Sequence, residues 1–260
     1  TAGAPLPGTL GALGGLQGAV TVQLYDGNQA VYGALAARDG LGQLTFDATG
    51  QLLATATHAD TIATYAAAVS DVAHLRTAGQ DYTYSASSTE HGVTMWAVSE
   101  TGTLTAGPGL GMDTGLWIAA PTVLETAQAG GQNFLIVGAA GSNSLSVIQI
   151  RSDGAMILRD HLLDTRDTRF AGVQAIEVVE AQGQTYVISG GSDDGISVHM
   201  LIPGGQLVAV DVFADTPAAA LSNISAITSR VTQGNIDIFV ASSTETGITK
   251  LIFDTGPQGV

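Results

Sequence analysis

Short stretches in which apolar and polar residues alternate recur along the chain, separated by clusters of Gly, Asp, Asn and Ser. "QLVAVDVF" (Gln206 to Phe213) alternates with a period of two, while "QTYVIS" (Gln184 to Ser189) and "ISVHML" (Ile196 to Leu201) are β-branched runs of similar length. Such segments predict half-buried strands. Helical spacing shows only in the alanine-rich stretch Thr61 to Val72, through Ile62, Tyr65, Val69 and Val72. That stretch occupies a first-strand position in the repeat described next, so a strand is expected there despite its spacing.

The strand pattern repeats. Gly-Gln precedes an apolar run at Gly79-Gln80, Gly131-Gln132 and Gly183-Gln184, and Gly-Asn does so at Gly27-Asn28 and Gly234-Asn235. The five starts are 52, 52, 52 and 51 residues apart. A second marker, Gly50, Gly102, Gly154, Gly204 and Gly256, keeps step at intervals of 52, 52, 50 and 52. Each unit holds four short strands. Four strands in about 52 residues predict an all-β fold, a five-bladed β-propeller of four-stranded antiparallel blades. The first strands fall near residues 16–25, 65–76, 117–128, 172–181 and 221–232. The units run about 27–78, 79–130, 131–182 and 183–233, with 234–260 plus 1–26 making up the fifth. The two termini are therefore expected to share a blade, closing the ring of a single domain and removing its exposed sheet edges.

Composition narrows the function classes. The 260-residue chain is 45% hydrophobic and only 12% charged, so it can bury a large core. No apolar run reaches the roughly 18 residues of a membrane span, so no membrane insertion is expected. The net charge of −15 disfavours nucleic acid and suits a cation, a neutral glycan or a basic partner. Zero cysteines exclude disulfides, thiol catalysis and cysteine-ligated zinc. No leader opens the sequence at Thr1, so a signal peptide is expected to be absent or already removed. A cysteine-free, lysine-poor, acidic chain fits an extracellular or cell-surface bacterial protein, with the cytoplasm as the alternative.

"GQTYVISGGSDDGISVHMLIPGGQLVAVDVFADT" (Gly183 to Thr216) resembles the repeats of lactonase-like β-propeller proteins. It is similar above all to the propeller regions of secreted hemolysin-type (RTX) calcium-binding bacterial proteins. The wording recurs more loosely from Gly79 to Leu104 and from Gly131 to Met156. The resemblance implies architecture and secretion; it carries no catalytic motif. The Gly-Gly-x-Gly-x-Asp calcium nonapeptide of those proteins is absent, and "GGSDDG" echoes it only superficially. Asp193-Asp194-Gly195 is read first as a turn between second and third strands, since Asp and Gly tolerate positive φ.

Candidate chemistry gathers on the variable loops. In a propeller the second-to-third-strand turns and the blade crossings share one face, and the regular Gly-marked turns occupy the other. The variable turns include "RDG" (Arg38 to Gly40), "SSTEHG" (Ser87 to Gly92), "GSNS" (Gly141 to Ser144), "SDDG" and "SSTETG" (Ser242 to Gly247), and the crossings carry Asp-Thr at Asp60, Asp113, Asp164 and Asp215. Loops that vary on a constant scaffold commonly carry function. Asp60, Asp113, Asp164, Asp215, Glu90, Asp193, Asp194 and Glu245 are therefore candidate ligand-binding residues; the competing reading is that each Asp-Thr caps its own backbone. If the carboxylates converge at one mouth, calcium is the possible cofactor. Trp117 is a further candidate, able to stack on a sugar, although core packing is the expectation for it and for Trp96.

No histidine pair has metal-ligand spacing, and no nucleophile elbow or phosphate loop is present. The primary reading is a non-enzymatic binding or structural module engaging a glycan or partner protein at the acidic loop face. The alternative is a lactonase or glycoside hydrolase with a central carboxylate site.

Overall fold

A computed structural model gives the structure of the chain and describes residues 15–36 and 38–256. These residues form nineteen β-strands in five antiparallel sheets, with one short 3₁₀ turn, Met112–Thr114. The first sheet holds β1 (Leu16–Gln23), β2 (Gln29–Leu35), β3 (Leu41–Phe46) and β4 (Leu52–His58) in chain order. The second holds β5 (Val69–Thr77), β6 (Gln80–Ser87), β7 (Gly92–Val98) and β8 (Leu104–Gly111). In the third are β9 (Pro121–Ala129), β10 (Gln132–Ala139), β11 (Ser144–Ile150) and β12 (Met156–Leu163). The fourth comprises β13 (Ala175–Ala181), β14 (Gln184–Gly190), β15 (Gly195–Ile202) and β16 (Gln206–Ala214). The fifth has three strands, β17 (Ile224–Thr232), β18 (Asn235–Ser242) and β19 (Ile248–Phe253).

The repeat markers sit where strand geometry needs them. The hairpins joining first and second strands turn on Ala78-Gly79, Gly130-Gly131, Gln182-Gly183 and Gln233-Gly234, and all eight residues have positive φ. Two consecutive positive-φ residues match the twist of the flanking strands, and Gly takes the second place at no steric cost. The first strands begin later than expected: β5, β9, β13 and β17 start at Val69, Pro121, Ala175 and Ile224. Residues 61–68 are not a continuous strand but a crossing with turns at 62–64 and 67–68. Shortly before each of these strands the crossing holds a left-handed residue, Ala68, Ala120, Gly172 or Asn223, with φ between 44° and 57°. That reversal delays the strand.

The chain divides into two compact units, residues 1–117 with 152–155 and residues 118–151 with 156–260. The first unit carries the first two sheets. Its core cluster joins Val22, Tyr32 and Leu41 to Val72, Trp96 and Val98. The second unit carries the other three sheets. One cluster there joins Phe134, Ile136 and Val147 to Phe170, Val173 and Val187, and a second joins Ile188, Ile196 and Val198 to Leu221, Ile236 and Val240. Each core thus lies between neighbouring sheets. Burying an aliphatic side chain contributes roughly 1.5–3 kcal/mol, so these layers dominate stability. Strand β1 pairs with β2 inside the first sheet. The expected sharing of a blade by the two termini draws on residues 1–14 and 257–260, which lie outside the described residues.

Candidate functional site

The Asp-Thr crossings are knitted from within. Asp60 Oδ1 accepts the Thr64 hydroxyl at 2.9 Å and the Ala66 N–H at 3.2 Å. Asp164 Oδ1 accepts the Thr168 hydroxyl at 2.8 Å and the Phe170 N–H at 3.1 Å, and Asp215 Oδ1 accepts the Leu221 N–H at 3.0 Å. A carboxylate is an acceptor that a short loop can use to satisfy N–H groups withheld from the sheet ladder. The third strands add a hydroxyl at the matching place: Thr94, Ser197 and Thr249 accept the N–H groups of Tyr65, Arg169 and Ala220 at 2.7, 2.7 and 2.9 Å. Asp113 differs. It lies exposed in the 3₁₀ turn, where Thr114 Oγ1 accepts the Gly111 N–H instead.

The variable turns brace the same crossings. Glu90 Oε2 accepts the Ala67 N–H at 2.9 Å, Ser142 Oγ accepts the Ala119 N–H at 3.0 Å, and Glu245 Oε2 accepts the Ser222 N–H at 2.8 Å. These three residues hold one position of the turn. The next position braces too: Asp39 Oδ1 accepts from the Ala68 N–H, Asn143 Oδ1 from the Gly172 N–H, and Asp194 Oδ1 from the Ser222 hydroxyl. Asp194 has a φ of 43°, the turn conformation its sequence suggests. Sheet four breaks the pattern. There the position of Glu90, Ser142 and Glu245 belongs to Asp193, which accepts no hydrogen bond among the described residues and faces Arg169 Nη1 at 3.7 Å.

Asp193 lines an open recess of about 520 Å³ together with Asp164, Thr165, Arg166 and Arg169. Burial holds its carboxyl above the usual range, and the nearby Asp164 and Asp194 charges add to this while Arg169 opposes it. A carboxyl with a raised pKa, free of bracing and set in a recess, is where chemistry or recognition is expected. A second recess of about 370 Å³ lies across the same turn, lined by Gln174, Ser192, Asn223, Ser225 and Ser243 among others. Consecutive residues of one turn, Ser192 and Asp193, therefore line two different recesses.

Other candidates fall into place around these. Trp117 is 66% exposed rather than packed in a core, so its ring is available for stacking. Trp96 is buried and donates its indole N–H to Ser85 Oγ at 2.9 Å, as a packing residue should. His58 bonds to Gln43 and His161 to Ser146, and burial lowers the pKa of both, with the Asp160 charge opposing it at His161. Among the described residues no group of three or more His, Cys, Asp or Glu side chains could hold a metal ion. Glu177, which sequence reasoning passed over, accepts both the N–H and the hydroxyl of Ser229, at 2.9 and 2.7 Å. It ties β13 to β17. Its one available signal was its place in a first strand, where an acid among apolar residues gives no indication of its partner.

Comparison with known proteins bears on the fold. No family model matches the chain, and no curated protein does. Solved structures do. An exo-beta-1,3-galactanase of Phanerochaete chrysosporium with galactose superposes with a TM-score of 0.54 at 11% identity, over 86% of this chain and 56% of that one. The Aleuria aurantia lectin, a six-bladed β-propeller that recognises fucose, gives 0.53 at 17% identity over 93% of this chain and 80% of its own. This chain has the β-propeller fold. Its five sheets are the blades that the 52-residue repeat predicts. A GH43 beta-1,3-galactosidase with galactodeoxynojirimycin also matches, with a TM-score of 0.52 at 9% identity over 86% of this chain and 85% of that one. The chain spans just over half the length of the fungal galactanase.

Proposed function

We propose that this propeller recognises carbohydrate at the recess lined by Asp193. The observation that carries the reading is the release of that one carboxylate from the bracing role its counterparts Glu90 and Glu245 fill. Carboxylate and guanidinium groups side by side offer acceptors and donors in the arrangement that vicinal sugar hydroxyls need. The structural likeness to galactose- and fucose-binding propellers supports the class of ligand. The bracing found at Asp60, Asp164, Asp215, Glu90, Asp194 and Glu245 makes these residues supports of their own crossings, with direct ligand contact assigned to Asp193; the exposed Trp117 is a separate stacking candidate.

Glycoside hydrolysis is the second reading, favoured by the raised pKa of Asp193. A carboxyl whose pKa is raised is the better proton donor to a departing glycosidic oxygen, and Asp164 supplies a second carboxylate in the same recess. The likeness to two glycoside-cleaving propellers points the same way. Under either reading an extracellular setting is proposed from the cysteine-free, acidic composition, and the lactonase-like and calcium-associated kinship from the repeat wording; calcium itself is not assigned a site.

A glycan array read beside a hydrolysis panel of β-galactosides, other glycosides and lactones tests the proposal. Binding that is lost in Asp193→Ala, with no turnover, supports recognition alone. Turnover that is lost in Asp193→Asn while binding persists supports the hydrolase. Neither binding nor turnover would refute both.

A further inference from the structure

We infer that the recess beyond the Gly191–Asp194 turn is a second subsite built for an uncharged sugar ring, so that the loop face reads an oligosaccharide of at least two units. This rests on the proposed carbohydrate recognition at Asp193 and extends it.

The recess differs from its neighbour in charge. Its lining carries hydroxyls, amides, glycine backbone and Ile224, and no ionisable side chain. Of the acids close to it in sequence, Asp193 lines the neighbouring recess, while Asp194 accepts the Ser222 hydroxyl and Glu245 the Ser222 N–H, both at 2.8 Å. The hydroxyls of Ser192, Ser225 and Ser243 donate to the backbone oxygens of Ala171, Ala241 and Asn223 at 3.2, 3.2 and 3.1 Å. Each thereby keeps lone pairs directed to an incoming donor. Gln174 supplies the complement. Its side-chain amide makes no hydrogen bond among the described residues, while its backbone N–H is used by Gly190 O at 3.0 Å.

These features select the ligand. An anion would find no cation in the recess and would approach a chain of net charge −15. A purely apolar ligand would leave the amide and hydroxyl groups unpaired on desolvation. A neutral ring bearing several hydroxyls satisfies both sets of groups, and about 370 Å³ lies at the small end of ligand pockets. The glycines help to make the recess. Neither Gly172 nor Gly191 places a side chain in it, and a Cβ at Gly191 would collide with the carbonyl oxygens of Ala171 and Gly172. The turn can therefore lie directly on the crossing, with Ser192 on one side and Asp193 on the other. A sugar held by Asp193 has its neighbouring ring directed across this turn.

Calorimetric titration with glucose, galactose, mannose and fucose, their neutral disaccharides, and galacturonic acid tests the inference. The native chain is compared with Ser225→Trp, which fills the recess from an exposed position, with Gln174→Ala, which removes its amide, and with Asp193→Asn. The native chain is expected to bind a neutral disaccharide about tenfold more tightly than the monosaccharide, a gain of about 1.4 kcal/mol. Ser225→Trp and Gln174→Ala should each abolish that gain and leave monosaccharide affinity within about twofold, with unchanged urea midpoints, while Asp193→Asn weakens both ligands alike. A gain that survives both recess variants overturns the second subsite and leaves carbohydrate recognition standing. Failure of the native chain to bind any sugar overturns both, and preference for galacturonic acid overturns the neutral assignment.

Discussion

Trp96 donates its indole N–H to Ser85 Oγ across two strands of the second sheet, and both side chains are buried. In the fourth sheet the repeat places His199 and Ser189 at those two positions, and the shorter ring does not make the bond. Both ring nitrogens of His199 and the hydroxyl of Ser189 are buried with no hydrogen-bond partner among the described residues. The first and fifth sheets carry Leu44 and Leu251 at the place of His199. His199→Leu should therefore stabilise the protein at pH 7 by about 1–2 kcal/mol, since an unsatisfied buried group costs more than a lost edge-on contact with Phe170. Urea denaturation checks this; a destabilised variant would mean that the histidine is satisfied.

The same residue sets a pH dependence. Burial pushes the His199 pKa down to about 4, with the Asp160 charge opposing the shift, and burial lowers His58 and His161 as well. Between about pH 6.5 and 4 the unfolded chain binds protons that the folded chain refuses, so stability rises with pH through this window and is lost as pH falls. Asp193 works in the opposite sense, because its raised pKa favours the folded state most at low pH. The histidine contribution at His199 alone is on the order of 3 kcal/mol. Stability measured at pH 5 and pH 7 should differ less in His199→Leu than in the native chain; equal differences would contradict the assignment.

Asp60 tests the bracing of the crossings. Asp60→Ala removes the acceptor of Thr64 and Ala66 and should cost about 1.5–3 kcal/mol, while Asp60→Asn keeps an acceptor and costs less. Thermal or chemical unfolding of both variants decides it. Unchanged stability with lost ligand binding would make Asp60 a ligand contact rather than a support.

Tyr84 donates its phenol hydroxyl to Gly154 O at 3.0 Å, as Tyr32 does to Gly102 O, each across seventy residues of sequence. Tyr84→Phe should cost about 1 kcal/mol by leaving a buried carbonyl unpaired. A fall in the urea midpoint at constant slope is the expected reading, and no fall would show that the carbonyl finds another donor.

The sequence made the blades legible because two glycine markers serve backbone geometry, and geometry repeats with the fold. It left the first-strand starts displaced by a few residues because the left-handed position of the crossing is filled by Ala68, Ala120, Gly172 and Asn223 in turn. Four occurrences with three residue types leave no pattern of letters. The recurring Asp-Thr pairs were visible, but a bracing carboxylate and a ligand carboxylate are the same residue until their partners are known. Asp193 could be singled out only once the hydrogen bonds of Glu90, Ser142 and Glu245 revealed the role it does not fill. Trp117 looked like core because a tryptophan beside "GMDTGL" carries no sign of exposure.

A crystal structure of the chain soaked with a neutral disaccharide selected by titration examines the central claim most directly. One ring is expected against Asp193 and Arg169, with the second across the turn against Gln174 and Ser225. Sugar density elsewhere on the molecule, with both recesses clear, would contradict the account.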